Sequence, residues 1–376
     1  MKRIIKLFVL ISINLLTIIC VSACTKGKES QPAITKTQHT IISLRLDYDI
    51  DFNKNLIYCA SFQMAWNAMR DQIIKGDIML EPDTLLAKQL NRQIIERKDM
   101  SQGSYVAVAG ELSNDLIDRI NKELQEKFGS QAEHGLDVPQ ATSSARQLIA
   151  YAFLYKNLEF PTEFEILNDP IVFTANGRET LVKGFGVNLF TSSKRQHEKL
   201  SNQVAILDYR NENDFILSLT SKSDDDQIIL AKVAPNKTLL QTYAAVLDRM
   251  GKAKASELRD GETLRIPKID FDLSHNFDEL QNKRIMNKGW EGWFIAKAAQ
   301  DIRFKLDEKG AVLKSTGFLS MLKAEAPPSA EKPRKFIFDK PFLIYLRQKI
   351  GSYPYFAMWV SNPELFGETI SATSAR

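Results

Sequence analysis

The chain has 376 residues, 44% of them hydrophobic and 26% charged, the balance of a soluble globular protein able to bury a large core as one or two domains. Lys2, Arg3 and Lys6 sit in an N-terminal leader; without them the 50 basic residues become 47, against 46 acidic ones. A nearly neutral chain lacks the clustered positive charge that phosphate backbones require, which excludes nucleic acid as a partner.

After Lys2, Arg3 and Lys6 comes the apolar run Leu7–Ile19 and then Val21-Ser22-Ala23-Cys24. Charged, apolar and small-residue regions in that order read as a signal peptide, 1–23, too short to span a membrane comfortably. Its end resembles a bacterial lipobox, with Val21 where leucine is usual. The resemblance implies lipidation of Cys24; ordinary cleavage with Cys24 incidental is the alternative. Thr25 is not aspartate, which favours the outer membrane. Cys20 leaves with the leader, so Cys59 is the one thiol left free and no disulfide is expected. Residues 24–40 are Lys, Ser, Thr, Gln and Pro without periodicity, a flexible tether ahead of a single domain over 41–376.

In that domain Ile42, Leu44 and Leu46 alternate within Ile41–Ile50, a short strand. Asn55–Ser61 leads into a segment where Phe62, Ala65, Trp66, Met69 and Ile73 recur at three and four residues, a buried helix. Residues 74–104 are polar. Tyr105–Ala109 reads as a strand, and Ser113 caps a helix over Asn114–Phe128 that ends at Gly129, with Leu116, Ile117, Ile120 and Leu124 on one face. Within Arg146–Phe164, Ile149, Tyr151, Phe153 and Tyr155 form one face and Leu148, Ala150, Ala152 and Leu154 the other, so both are apolar as in a covered sheet. Val204–Val233 reads as strand, turn, strand, and Leu264–Asn282 as a strand and the capped start of a helix. In the tail Ile302, Phe304 and Leu306 alternate with Arg303, Lys305 and Asp307, a half-buried strand that ends at Glu308-Lys309-Gly310. Ala311–Lys335 is too long for an ordinary connection, and after it Phe336–Leu346 and Tyr355–Val360 form a hairpin punctuated by Gly351 and Pro354.

This order of features resembles the serpin family. The resemblance rests on Asp307-Glu308-Lys309-Gly310, on Asp339-Lys340-Pro341-Phe342-Leu343 and its hairpin, and on Asn362-Pro363. Upstream it is carried by the strand entering a buried helix, with Cys59-Ala60-Ser61 where Ser-Pro is usual, by INKELQEKFG, and by RQLIAYAFLYKNLEFPTEF, which lacks the family's tryptophan after the strand. Leu207-Asp208-Tyr209 with Phe215–Leu219, and Ile266-Pro267-Lys268-Ile269, complete it. It covers most of 55–365, sharpest after 204. It implies an α+β fold with a large mixed central sheet, two further sheets, about nine helices, a helix lying across the main sheet and a long exposed reactive loop. In serpins that loop is bait for a protease and, once cleaved, enters the sheet as a new strand and traps the enzyme. The hinge would be Glu308, Lys309, Gly310, Ala311, Val312, Leu313, Lys314, Ser315 and Thr316. The scissile bond would be Lys323-Ala324 or Ala324-Glu325, suited to a trypsin-like or an elastase-like enzyme.

Insertion would turn Ala311, Leu313, Ser315, Gly317 and Leu319 inward and Val312, Lys314, Thr316 and Phe318 outward. A slip of one residue would bury Lys314 unpaired. Val312, Leu313 and Lys314 break the run of small residues that inhibitory serpins carry, and bulk slows entry into a close-packed sheet. Two readings follow: a suicide-type inhibitor of serine or cysteine endopeptidases at the bacterial envelope, or a non-inhibitory binding module on the same scaffold. A solute-binding lipoprotein is a third. There is no His-Glu-x-x-His, Gly-x-Ser-x-Gly, Walker loop or Cys-x-x-Cys, so no catalytic residue, metal ligand or cofactor is assigned and the protein reads as no enzyme. His39, His134, His197 and His275 read as surface residues, Gly184-Phe185-Gly186 as a local bend, Asp224-Asp225-Asp226 as a solvated turn, and Trp290 with Trp293 as packing where the chain re-enters the core. The expected partners are a target protease and a membrane reached through the lipid. The protein is expected to be an exported monomer on the outer membrane or cell surface, with a periplasmic face as the other location.

Overall fold

The computed structural model describes residues 34–92, 95–129, 146–188, 194–312, 333–367 and 369–370. Strand β1 (Thr40–Ser43) pairs in parallel with β2 (Asn55–Cys59), which is buried throughout and runs into α1 (Ser61–Ala68), extended by a π-helical turn over Met69–Ile74. Phe62, Ala65, Trp66 and Met69 are fully buried, as their helical spacing predicts. Next come β3 (Tyr105–Glu111) and α2 (Asn114–Phe128), whose start is fixed by Ser113 Oγ accepting from Leu116 N at 3.2 Å. After β4 (Gln147–Leu154) and β5 (Asn157–Glu159) the chain forms β6 (Val204–Asn211), β7 (Asp214–Leu219) and β8 (Asp226–Lys232). Helix α3 (Leu239–Lys252) precedes β9 (Thr263–Pro267), β10 (Ile269–Asn276) and β11 (Phe294–Asp307). Towards the C-terminus come β12 (Gly310–Val312), β13 (Lys335–Ile337), β14 (Phe342–Gln348) and β15 (Pro354–Val360).

The main sheet is mixed: β3 is antiparallel to β4, β4 parallel to β11, and β11 antiparallel to β10. A second eight-stranded sheet runs β1-β2-β15-β14-β8-β7-β6, with Ser256–Glu257 at its edge. A four-stranded sheet joins β13 and β9 to Gly184–Val187 and Glu165–Ile166, and a three-stranded one joins Ile171–Ala175, Arg178–Val182 and Thr369–Ile370. Upper inner positions of the main sheet, Leu158, Ile302, Phe304 and Leu306, share one core with Tyr355 and Phe356 of the second sheet. Lower down, Leu148, Ala150, Ala152 and Ala298 cover α1. On the opposite face Ile149, Tyr151, Phe153 and Tyr155 receive Leu116, Ile120, Leu124 and Phe128, so α2 lies on the main sheet as the resemblance implies.

The α+β class and the mixed central sheet stand; some details are corrected. Among the described residues there are five α-helices rather than about nine, and four hydrogen-bonded sheets rather than three. Between 74 and 104 the described residues hold one α-helix, Leu85–Leu90, in a stretch that Gly76, Pro82 and Gly103 punctuate. No helix starts at 277, because Phe277 N donates to Ala298 O and Asn282 N to Ile295 O, which keeps the chain against β11. Gly184-Phe185-Gly186 is part of a buried strand, not a bend: a Cβ on Gly186 would lie 1.9 Å from Leu264 O, so the glycine permits a close strand approach. The chain is also held earlier than the tether reading implies, since Ile34 already bridges Phe271 of β10. Trp290 and Trp293 pack edge to face at 5.2 Å against the α1 core, as expected.

Candidate functional site

Strands β4 and β11 are paired directly from Gln147·Phe294 to Leu154·Ile302. Above that point they part. Strand β11 runs on to Asp307, turns through Glu308-Lys309 and comes back as β12, while β5 takes the place of β4 on the far side. Gly310, Ala311 and Val312 pair with Asp307, Leu306 and Lys305 of β11 and, on their other flank, with Glu159, Leu158 and Asn157 of β5. Gly310, Ala311 and Val312 therefore fill a slot at the top of the main sheet, antiparallel to both neighbours.

The slot explains its residues. Gly310 has φ +155°, and a Cβ there would stand 2.6 Å from both Leu158 O and Glu159 Cα, backbone atoms that cannot yield. Ala311 is fully buried within the inter-sheet core, the inward position that the alternation assigns to it. The turn is tied on every side. Lys309 N donates to Asp307 Oδ1 at 2.9 Å, Lys305 Nζ lies 2.9 Å from Asp307 Oδ2, and the carbonyls of Lys309 and Glu308 accept from Phe160 N and Phe164 N at 2.8 Å. Glu308, 8% exposed, meets Lys268 Nζ at 2.6 Å, so its charge is compensated.

The β5 arm of the fork is pinned to the second sheet. Lys156, between β4 and β5, reaches Asp226 Oδ2 at 2.6 Å, and Ser223 Oγ donates to the same oxygen at 2.6 Å. Tyr355 OH and Gln348 Nε2 donate to Asp226 Oδ1 at 3.0 and 3.1 Å. Burial first, and the neighbouring Asp226 carboxylate second, push the Tyr355 hydroxyl well above its ordinary value, so it stays a donor. Asp226 is thus a buried hub, 4% exposed, and not the end of a solvated turn. On the same arm Lys222 Nζ donates to Glu159 Oε2 at 2.9 Å, which holds the Glu159 carboxyl below its ordinary value.

Below the fork, Gln300 of β11 stands opposite Ala152 and donates from Nε2 to Ser61 Oγ at 2.7 Å and to Cys59 O at 3.2 Å, which ties the closed part of the sheet to the start of α1. Burial pushes the Cys59 thiol up to about 11, so it is an inert core group.

The chain returns at Arg334, and this end is clamped. Its guanidinium is bidentate to Glu262, Nε to Oε1 at 2.5 Å and Nη2 to Oε2 at 2.9 Å, and Nη1 donates to Ser256 Oγ at 3.2 Å. It also lies over the rings of Tyr209 and Phe336 at 5.6 and 5.3 Å. Strand β13 then pairs in parallel with β9. Lys232, 3% exposed, donates to Ile337 O and Glu212 O at 2.9 Å and to Asp339 Oδ1 at 2.5 Å; burial lowers its pKa.

A short strand seated between two strands of a mixed sheet, a helix across that sheet and a clamped return into a hairpin form a single pattern. The fold is serpin-like. No family model matches the chain, and no curated protein matches it. Among solved structures it is similar to Serpin48, a highly specific serpin of the insect Tenebrio molitor, at 12% identity over 82% of this chain and 92% of that one, with a TM-score of 0.46. Native protease nexin-1 with heparin matches at 12% identity over 82% and 92%, TM-score 0.48, and thyroxine-binding globulin with thyroxine at 11% over 82% and 93%, TM-score 0.47.

In this serpin-like frame Glu308, Lys309, Gly310, Ala311 and Val312 come together at the fork. Leu313, Lys314, Ser315, Thr316, Lys323, Ala324, Glu325, His134 and Cys24 lie outside the described residues. His39 is exposed, His197 is partly buried beside Ser201 and Asp260, and His275 packs on Phe277. Among the described residues no group of three or more His, Cys, Asp or Glu is placed to hold a metal ion. Lys156, Asp226, Gln300, Arg334 and Glu262 were not legible as site residues. Each acts through a partner 70 or more positions away. Lys156 alone left a local trace, as a lone cation at the end of an apolar run.

Proposed function

We propose that the chain is a serpin-like protein directed at proteases, which presents 313–332 to a serine or cysteine endopeptidase and draws the upstream arm into the main sheet after cleavage. The observation that carries this is the seat of β12, whose ladder with both neighbours is already begun. Continued in the same register, Leu313 would stand opposite Phe304 and Lys156, Ser315 opposite Ile302 and Leu154, and Gly317 opposite Gln300 and Ala152. All three are in phase with the buried Ala311, and Lys314 falls on the other face. Entry has to open the direct β4·β11 pairs from Leu154·Ile302 downward and release the Gln300 bonds to Ser61 and Cys59. The lipobox-like Val21–Cys24 supports an anchor at Cys24 on the outer membrane or cell surface, with target enzymes met at the envelope.

The test is the melting temperature of the full chain before and after one cut within Lys323–Glu325, together with a search for a covalent complex with the cutting enzyme. A marked rise and a denaturant-resistant complex are expected. An unchanged or lower melting temperature overturns insertion and leaves the non-inhibitory reading, in which the fork is a static seat for the hinge.

A further inference from the structure

The main sheet has two edges, and they are treated differently. On β10, Ile34 bridges Phe271 and Phe366 bridges Ile269. On the other side β3 pairs only with β4 among the described residues. Ser104 O accepts from Tyr155 N and Leu112 N donates to Gln147 O, so even-numbered residues of this strand direct their backbone groups at β4. The odd ones, Tyr105, Ala107, Ala109 and Glu111, direct theirs outward. The strand reads Tyr-Val-Ala-Val-Ala-Gly-Glu, with no proline and no charge before its last residue, so it lacks the devices that usually protect an edge. Lys127 Nζ, 3.3 Å from Tyr105 O, covers one end.

We infer that this edge pairs with the same edge of a second copy of the chain, antiparallel about a two-fold axis at Val108. Tyr105 of each copy then faces Glu111 of the other, and Ala107 faces Ala109. Every such pair joins two outward-directed residues, so register and hydrogen-bond phase agree. Charge selects this occupant. Glu111 is exposed at one end of the edge, and Lys127 of α2, which now shares Glu123 at 2.6 Å, stands at the other. Two-fold pairing brings each Glu111 to the other copy's Lys127, whereas a parallel arrangement would bring like ends together. This proposal departs from the expected monomer and does not depend on loop insertion.

Sedimentation equilibrium of the intact full chain in detergent, over a range of protein concentrations, tests it. A monomer–dimer equilibrium is expected. Ala109→Pro removes an N–H that points away from β4, leaves the β3·β4 ladder whole, and is expected to abolish the dimer. Glu111→Lys, at an exposed site that does not threaten folding, is expected to weaken it about tenfold. Adding Lys127→Glu to Glu111→Lys is expected to restore it. Amide exchange at Ala107 and Ala109 should slow as concentration rises. A wild-type chain that stays monomeric throughout, or a dimer indifferent to Ala109→Pro and to the charge reversal, overturns the proposal.

Discussion

The two ends of the 313–332 segment are held by different physics. Upstream, β12 is three residues of backbone ladder with one small buried side chain, in a slot whose floor is the still-closed β4·β11 pairing. Downstream, the half-buried Arg334 is bidentate to the buried Glu262, and the buried Lys232 donates to Ile337 O and Asp339. A ladder can be lengthened one residue at a time, since each step exchanges one set of hydrogen bonds for another. A buried ion pair cannot be drawn out gradually, because removing either partner strands the other charge. If the segment is cut, the upstream arm is the one free to move.

Breaking that contrast should show most at the ion pairs. Arg334→Leu, which takes the guanidinium from Glu262 at 2% exposure and leaves it backbone donors such as Arg259 N, should cost about 3–5 kcal/mol in denaturant unfolding. Lys156→Met removes the cation from Asp226 but leaves it the Ser223, Tyr355 and Gln348 donors, and should cost less, about 1–3 kcal/mol. The two should differ in place: hydrogen exchange should rise around 333–337 in the first variant and around 157–159 and 310–312 in the second. Gly310→Ala should cost about 1–3 kcal/mol through overpacking against β5 and unseat β12. Protection would then be lost at 310–312 while Arg334 keeps its contacts.

Smaller effects sharpen the comparison. The Glu159 carboxyl is lowered chiefly by its hydrogen bond from Lys222. Its folded value lies below its unfolded one, so its contribution is present above the ordinary value of 4.5 and is lost as pH falls through the folded value. Because the pair is part-exposed, Lys222→Met should cost only about 0.2–1 kcal/mol at neutral pH and flatten that acid limb. His275 is lowered by burial against Phe277, with Asp278 opposing. The unfolded chain therefore takes up its proton first, and stability should decline as pH falls from 6.5 through the folded value, a decline that His275→Gln removes.

Much of the fold was legible because its signals are local. Ser113 and Gly129 bounded α2, the doubly apolar alternation of 148–155 marked a covered strand, and Ile302–Asp307 marked a half-buried one. The inward position of Ala311 was legible, because period-two alternation carries it. The capped helix start expected after Leu264 was not borne out, because backbone bonds from Phe277 and Asn282 to β11 outweighed a local capping signal.

By itself the sequence determined the doubly apolar alternation of 148–155, the half-buried alternation of 302–307 and the bounds of α2, since side-chain periodicity and capping are properties of neighbours in the chain. Only the tertiary structure decided that β4 and β11 part at Leu154·Ile302, that Lys156 and Asp226 pin one arm of the fork, and that among the described residues β3 pairs with β4 alone. Strand order and buried charge pairing depend on contacts between residues tens to hundreds of positions apart, and no local pattern encodes those.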